Sequence, residues 1–176
     1  MKNQSGFTLI ESLVTGILMV ITAGVVLTFF LMTTRETREG AANVSMEKLY
    51  DVVSYNIGWK VRQAAAVLEA NESFSSYKTY SSDDSVVAIE TYDASGNRTG
   101  GYKINGTVLQ ELDVSAGSYD PMIVGNDTVQ VKSGSSFGLL GGRIGLTMDL
   151  TFQKNISGKI YEISSRGDGF RCRNWN

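Results

Sequence analysis

The chain contains no histidine and a single cysteine, Cys172, among 176 residues. Without His it lacks the commonest zinc ligand and the usual general base near neutral pH. One cysteine permits neither an intramolecular disulfide nor a Cys-based metal cluster. A cationic surplus is missing too: 16 Lys and Arg stand against 18 Asp and Glu, a formal net charge of -2. A nucleic-acid-binding surface clusters basic residues, so no nucleic-acid partner is expected. Glu90, Glu111 and Glu162 fall on predicted strands, and nothing marks a carboxylate pair for acid–base work. The expectation is a chain that is not an enzyme and that carries no cofactor.

The longest absence is of charge between Ser12 and Thr34. Leu13 to Met32 alone is a twenty-residue apolar run, enough at ~1.5 Å per residue to cross the ~30 Å hydrocarbon core of a bilayer. A secretory signal peptide has a shorter apolar core, roughly 7–15 residues, and ends at a small-residue cleavage site. Thr33-Thr34-Arg35-Glu36 has no such character. An uncleaved signal anchor remains compatible with hydropathy alone, and Lys2 adds a slight positive-inside bias. At the front of the run stands one carboxylate, Glu11. A charge in hydrocarbon is expensive and is a functional-site candidate by default.

Gly6-Phe7-Thr8-Leu9-Ile10-Glu11-Ser12 resembles the cleavage and methylation signature of type IV prepilins and type II secretion pseudopilins. The resemblance implies a leader, residues 1–6, cut after Gly6 by a prepilin peptidase. Phe7 would become an N-methylated N-terminus and Glu11 the fifth residue of the mature chain. It implies an assembly charge pair, with Glu11 of one subunit meeting the Phe7 amine of a neighbour. Pairing relieves much of the cost of two buried charges, and the helix dipole favours a carboxylate near an N-terminus. Implied partners are other pilin or pseudopilin subunits, the peptidase and an inner-membrane assembly platform. The implied location is the inner membrane, single-pass with a periplasmic head, then a periplasmic or extracellular filament. Lacking the common C-terminal cysteine pair, the chain resembles a minor subunit, such as a J-type minor pseudopilin or a minor pilin that initiates or caps assembly. Retention of Glu11 argues against the K-type tip subunit. The competing expectation is a membrane-anchored periplasmic binding or enzymatic domain with an uncleaved anchor.

Beyond residue 34, Met46, Leu49, Tyr50, Val53, Ile57, Val61, Ala64 and Leu68 recur at helical steps as one apolar stripe. The spacing predicts a helix from about Phe7 to Leu68, with Gly40 the place for a bend. Gly40 and Gly58 each cost up to ~1 kcal/mol relative to Ala in a helix. Strand signals follow: 85–92, a turn at 93–97, a hairpin of 102–104 and 107–112 on a type I′ Asn105-Gly106 turn, a short strand at 128–131, an alternating strand at 144–152 and its return at 159–164. That last hairpin is expected at the centre of a sheet. Residues 71–85 read as a loop, and 115–142 carry no clear assignment. The expected fold class is α+β, a long N-terminal helix packed on a C-terminal antiparallel head. The expected divisions are 1–6 leader, 7–34 transmembrane or filament-core helix, 35–70 amphipathic stem and 71–176 β-rich head.

Some pilin and pseudopilin heads bind calcium in a C-terminal loop, which makes Asp113, Asp120, Asp127 and Asp168 the acids to test. None forms a D-x-D-x-D-G run, and Asp beside Gly is commonly a turn former. The basic tail after 164 reads as an extension beyond the last strand, and its Arg166-Gly167-Asp168 as a short adhesion-like match. Cys172 is either an intersubunit cross-linking thiol or a buried one. Gly6→Ala should block processing: the cell should accumulate only full-length chain on an immunoblot, and a normal-size mature form would refute the cleavage site.

Overall fold

The computed structural model describes residues 8–70, 72–75, 83–122, 129–156, 158–165 and 167–173. The fold is α+β, and the chain divides into two compact units, Met1–Ala42 and Asn43–Asn176. One helix, α1, runs from Leu9 to Gln63 and is helical through both Gly40 and Gly58. In the first unit its large apolar side chains, from Leu9 and Ile10 through Phe29, Phe30 and Met32, are exposed. The threonines there need no water. Thr15, Thr22, Thr28 and Thr33 donate their hydroxyls to carbonyls four residues back at 2.7–2.9 Å, which hides polar groups that hydrocarbon would leave unsatisfied. By length and composition α1 can cross a membrane.

In the second unit α1 buries its stripe. Met46, Tyr50, Val53, Ile57 and Val61 are buried, the last four in one core with Ile89, Tyr102, Leu109, Phe137, Leu146 and Phe152. The helix ends five residues earlier than the stripe suggests. Ala64 N–H donates to the carbonyls of Lys60 and Val61, and Ala65 N–H turns to Tyr92 O at 2.8 Å. Residues 66–69 then form a strand, β1 (Ala66–Glu69), rather than a last helical turn. Ala66, Val67 and Leu68 are all fully buried. A short apolar run of this kind fits a buried strand or a helix equally well by pattern. The predicted stem of 35–70 therefore contains a helix and a strand.

The other strands are β2 (Asp84–Val86), β3 (Ala88–Tyr92), β4 (Arg98–Asn105), β5 (Val108–Asp113), β6 (Ser118–Pro121), β7 (Val129–Val131), β8 (Ser136–Leu139), β9 (Gly145–Asp149), β10 (Thr151–Ile156), β11 (Lys159–Ser164) and β12 (Gly169–Arg171). They form three antiparallel sheets, ordered β1-β3-β4-β5-β6, β12-β9-β8-β2 and β11-β10-β7. Two predicted strands are each broken at a corner. At Val87 the chain leaves β2, paired with β8, for β3, paired with β1 and β4. At Leu150 it leaves β9 for β10, and Leu150 itself is fully buried. Alternation continues through Leu150, and Val87 lies inside the continuous apolar run 86–89, so neither pattern reveals that the strand changes sheets. The 151–164 hairpin lies in the three-stranded sheet with β11 at its edge, not at the centre of a large sheet.

The β4–β5 turn also differs from expectation. Asn105 pairs with Val108, so Gly106 and Thr107 form the loop, and of these only Gly106 has positive φ, +62°. Positive φ at the first central residue alone is the type II′ pattern, whereas type I′ requires it at both. The unassigned region 115–142 contributes β6 and β8, and the short strand expected at 128–131 is β7. The tail is not an extension, because β12 pairs with β9 and buries Phe170.

β12 explains a glycine that otherwise weakens the helix. A Cβ on Gly58 would lie 2.5 Å from Cε1 of Phe170, and the Arg62 guanidinium sits 5.4 Å from that ring's centre. Arg173 N–H donates to Arg62 O at 3.1 Å, capping one of the last carbonyls of α1. Gly58→Ala should lower stability by about 1–3 kcal/mol despite better helix propensity, because the ring must move. Thermal melts of the full chain in detergent test this, and Phe170→Leu combined with Gly58→Ala should cost less than the two single changes added.

Candidate functional site

The residues with the clearest claim to function lie at the start of α1. Thr8 immediately precedes the first helical residue, Leu9, which places Glu11 at the third helical position. Glu11 Oε2 accepts hydrogen bonds from Thr8 N–H at 2.9 Å and from the Thr8 hydroxyl at 3.0 Å. Glu11 N–H in turn donates to Thr8 Oγ1 at 3.3 Å. This is a capping box, in which two orphan helix donors are satisfied reciprocally. The sequence carries its signature, Thr8-Leu9-Ile10-Glu11. Gly6 and Phe7, the expected cleavage junction and amine, lie outside the described residues. Among the described residues, the geometry brings Glu11 together with Thr8.

Other polar clusters in the second unit are built as supports. Glu90 on β3 is 4% exposed, and a buried carboxylate requires partners. Arg98 Nη1 lies 2.8 Å from its Oε1, the Tyr92 hydroxyl donates to its Oε2 at 2.7 Å, and Tyr119 Oη reaches Oε1 at 3.3 Å. Arg143 is also buried, with φ +56° in the 3₁₀ turn Gly141–Arg143. Its guanidinium engages both carboxylate oxygens of Glu72, with Nε at 3.0 Å, and Asp84 at 2.7 Å. Sequence inspection flagged neither cluster. Tyr92 and Arg98 face each other across the 93–97 turn, the one local sign that Glu90 would find a cation.

No family model, curated protein or solved structure matches this chain. The assignment of a role therefore rests on the residues themselves.

Of the three calcium candidates among the described residues, two have other occupations and one stands apart. Asp113 folds its own loop, accepting from Ser115 N–H and Oγ and from Ala116 N–H at 2.6–3.2 Å. Those hydrogen bonds, led by the Ser115 hydroxyl, hold its carboxyl below the ordinary range. Asp168 accepts from the Tyr50 hydroxyl and, at 3.2 Å, from Ser54. It thereby ties the approach to β12 onto α1. Asp120 is exposed on β6, and Asp127 lies outside the described residues. Among the described residues no three His, Cys, Asp or Glu side chains gather as a metal site. Cys172 is half-buried, and burial pushes its thiol up to about 11, a value that disfavours the reactive thiolate.

The Glu90 cluster makes a pH prediction. Burial, then the hydrogen bond to Glu90, pushes Tyr92 up to about 12, and burial with the nearby Glu90 charge does the same for Tyr119. A folded-state value above the ordinary ~10 for tyrosine favours the neutral form. The resulting stability is complete below pH ~10 and is lost as pH rises towards 12. Burial raises Tyr102 as well, so ultraviolet titration of the folded chain should show Tyr92, Tyr119 and Tyr102 among the tyrosines that ionise late, and Glu90→Gln should bring Tyr92 down towards the ordinary value.

Proposed function

We propose that the chain is a structural subunit of a type IV pilus-like or type II secretion pseudopilus filament, cleaved by a prepilin peptidase after Gly6 and assembled through α1. The observation that carries this reading is the first unit of α1. A helix with exposed apolar side chains from Leu9 to Met32 requires a covering of lipid or other helices. At its front is a carboxylate whose neutral partners satisfy its hydrogen bonds but not its charge. The prepilin-like residues Gly6-Phe7 supply the missing element, since cleavage creates a cationic amine one helical turn before Glu11. The membrane is the inner membrane, the second unit faces the periplasm, and the subunit is a minor one that starts or caps assembly. Its partners are other pilin or pseudopilin subunits, the peptidase and the assembly platform.

One observation favours a second reading, an uncleaved membrane anchor bearing a periplasmic binding domain. Thr8 alone gives Glu11 a local role as a helix cap, without any neighbour. Intact-mass measurement on the protein isolated from membranes separates the two. A filament subunit begins at N-methylated Phe7; a chain beginning at Met1 overturns the proposal. Glu11→Leu should still insert into the membrane while its incorporation with partner subunits falls by an order of magnitude. Unchanged co-assembly would remove the role given to the carboxylate.

A further inference from the structure

The three sheets present six edge strands among the described residues, and five of them are closed, blunted or short. β1 is buried. β6 carries Asp120 and ends on Pro121, and charge and proline both discourage further pairing. β2 and β12 are three residues each, and β7, equally short, donates its Val131 N–H to Thr107 O at 2.8 Å. The sixth, β11, runs for six exposed or half-buried residues, Lys159–Ser164.

Pairing with β10 fixes which backbone groups of β11 are spare. Ser165 N–H donates to Leu150 O at 2.6 Å. In the same phase Phe152–Ile163 and Lys154–Tyr161 are the pairs that exchange backbone bonds. Ile160, Glu162 and Ser164 therefore turn N–H and C=O away from β10, and among the described residues no backbone group meets them. Charged side chains commonly guard such an edge, but here they are drawn back. Glu162 leans across β10 to Lys132, just past β7, with Oε2 2.8 Å from Nζ. The Lys159 ammonium lies over the Tyr161 ring, 4.8 Å from its centre. Ile160 is 59% exposed.

We propose that β11 is a docking edge that takes one extended segment of another protein as a further strand of its sheet. The backbone selects the class of occupant. Three donor–acceptor sets repeating every ~6.8 Å match another extended chain, and neither a helix nor a lipid offers that repeat. The side chains select its character. Tyr161 and Ile163 share the core side, and both are half-buried, so they favour apolar residues beside them. Glu162 on the other side disfavours a carboxylate opposite. A second copy of β11 fits worse: in either direction, the register that uses all three residues sets Glu162 against Glu162. The docking edge needs neither cleavage after Gly6 nor a filament.

The probe is a labelled hexapeptide with the sequence of β10, Thr-Phe-Gln-Lys-Asn-Ile, whose side chains already fit β11 along its other edge. With the full chain in detergent, fluorescence anisotropy should show saturable binding. Amide exchange followed by NMR should slow several-fold at Ile160, Glu162 and Ser164 at saturation, with Tyr161 and Ile163 unchanged. Because the Ile160 N–H points outwards, Ile160→Pro costs no bond to β10 and should weaken binding several-fold. Backbone N-methylation of the peptide needs no change in the protein. Methyls on alternate residues in one phase should abolish binding, and methyls in the other phase should spare it. No binding, equal binding by both methylated peptides, unchanged binding by Ile160→Pro, or no slowing at the three amides overturns the proposal. Slowing at those amides that grows with chain concentration before peptide is added makes a second copy the occupant, and overturns the assignment to another protein.

Discussion

The core-facing stripe Tyr50, Val53, Ile57 and Val61 is the constraint on which the second unit depends. These side chains share one core with residues from all three sheets, including Ile89, Phe137, Phe152 and Phe170. No sheet here is large enough to make a core alone, since the widest has five short strands. Each must bury one face against something else, and the helix is the element common to them. The close approach at Gly58, where only a hydrogen leaves room for Phe170, ties the last strand to the helix. The Asp168 carboxylate on Tyr50 and Ser54, and the Arg173 N–H on Arg62 O, fasten the same stretch on either side of that ring.

Because the helix occupies the core, polar groups at its edges have to be satisfied locally. Lys60 pairs with Glu111 at 2.5 Å and lies 5.6 Å from the centre of the Tyr102 ring. The buried charges Glu90 and Arg143 each gather more than one partner. Removing a single member of such a cluster leaves a desolvated charge behind, which costs more than the pair contributes. These clusters therefore act as supports for the loops between strands, and none gathers the nucleophile, base and orienting group that catalysis would use.

The helix, its apolar first part and its core stripe were legible because 3.6-residue periodicity over so long a span admits few rivals. The α+β class followed from them together with the alternating strands. What escaped were events that leave the apolar pattern intact. Leu150 changes sheets without interrupting alternation, Val87 does so inside the unbroken apolar run 86–89, and Ala66–Leu68 reads as helix or strand until its partner Thr91 is known. β6 and β8 are four residues long, too short for periodicity to rise above composition. Phe170 in the basic tail gave no local sign of burial, since its pocket is made by Gly58, more than a hundred residues away. Thr8-x-x-Glu11 is legible as a cap from its spacing alone, and the same Glu also stands in the prepilin-like signature.

Those two tasks of Glu11 are compatible, and their combination narrows the mechanism proposed for it. Both bonds from Thr8 fall on Oε2, so one oxygen completes the helix end while Oε1 is not used by the cap. The donors are neutral: they orient the carboxylate and offset part of its desolvation, yet leave a full negative charge at the front of an apolar helix. A cation meeting Oε1 would find the carboxylate already held in place, with little side-chain entropy left to lose. In the filament reading the cap is then the device that presents the charge, and the amine released at Phe7 of a neighbouring subunit is the group that neutralises it.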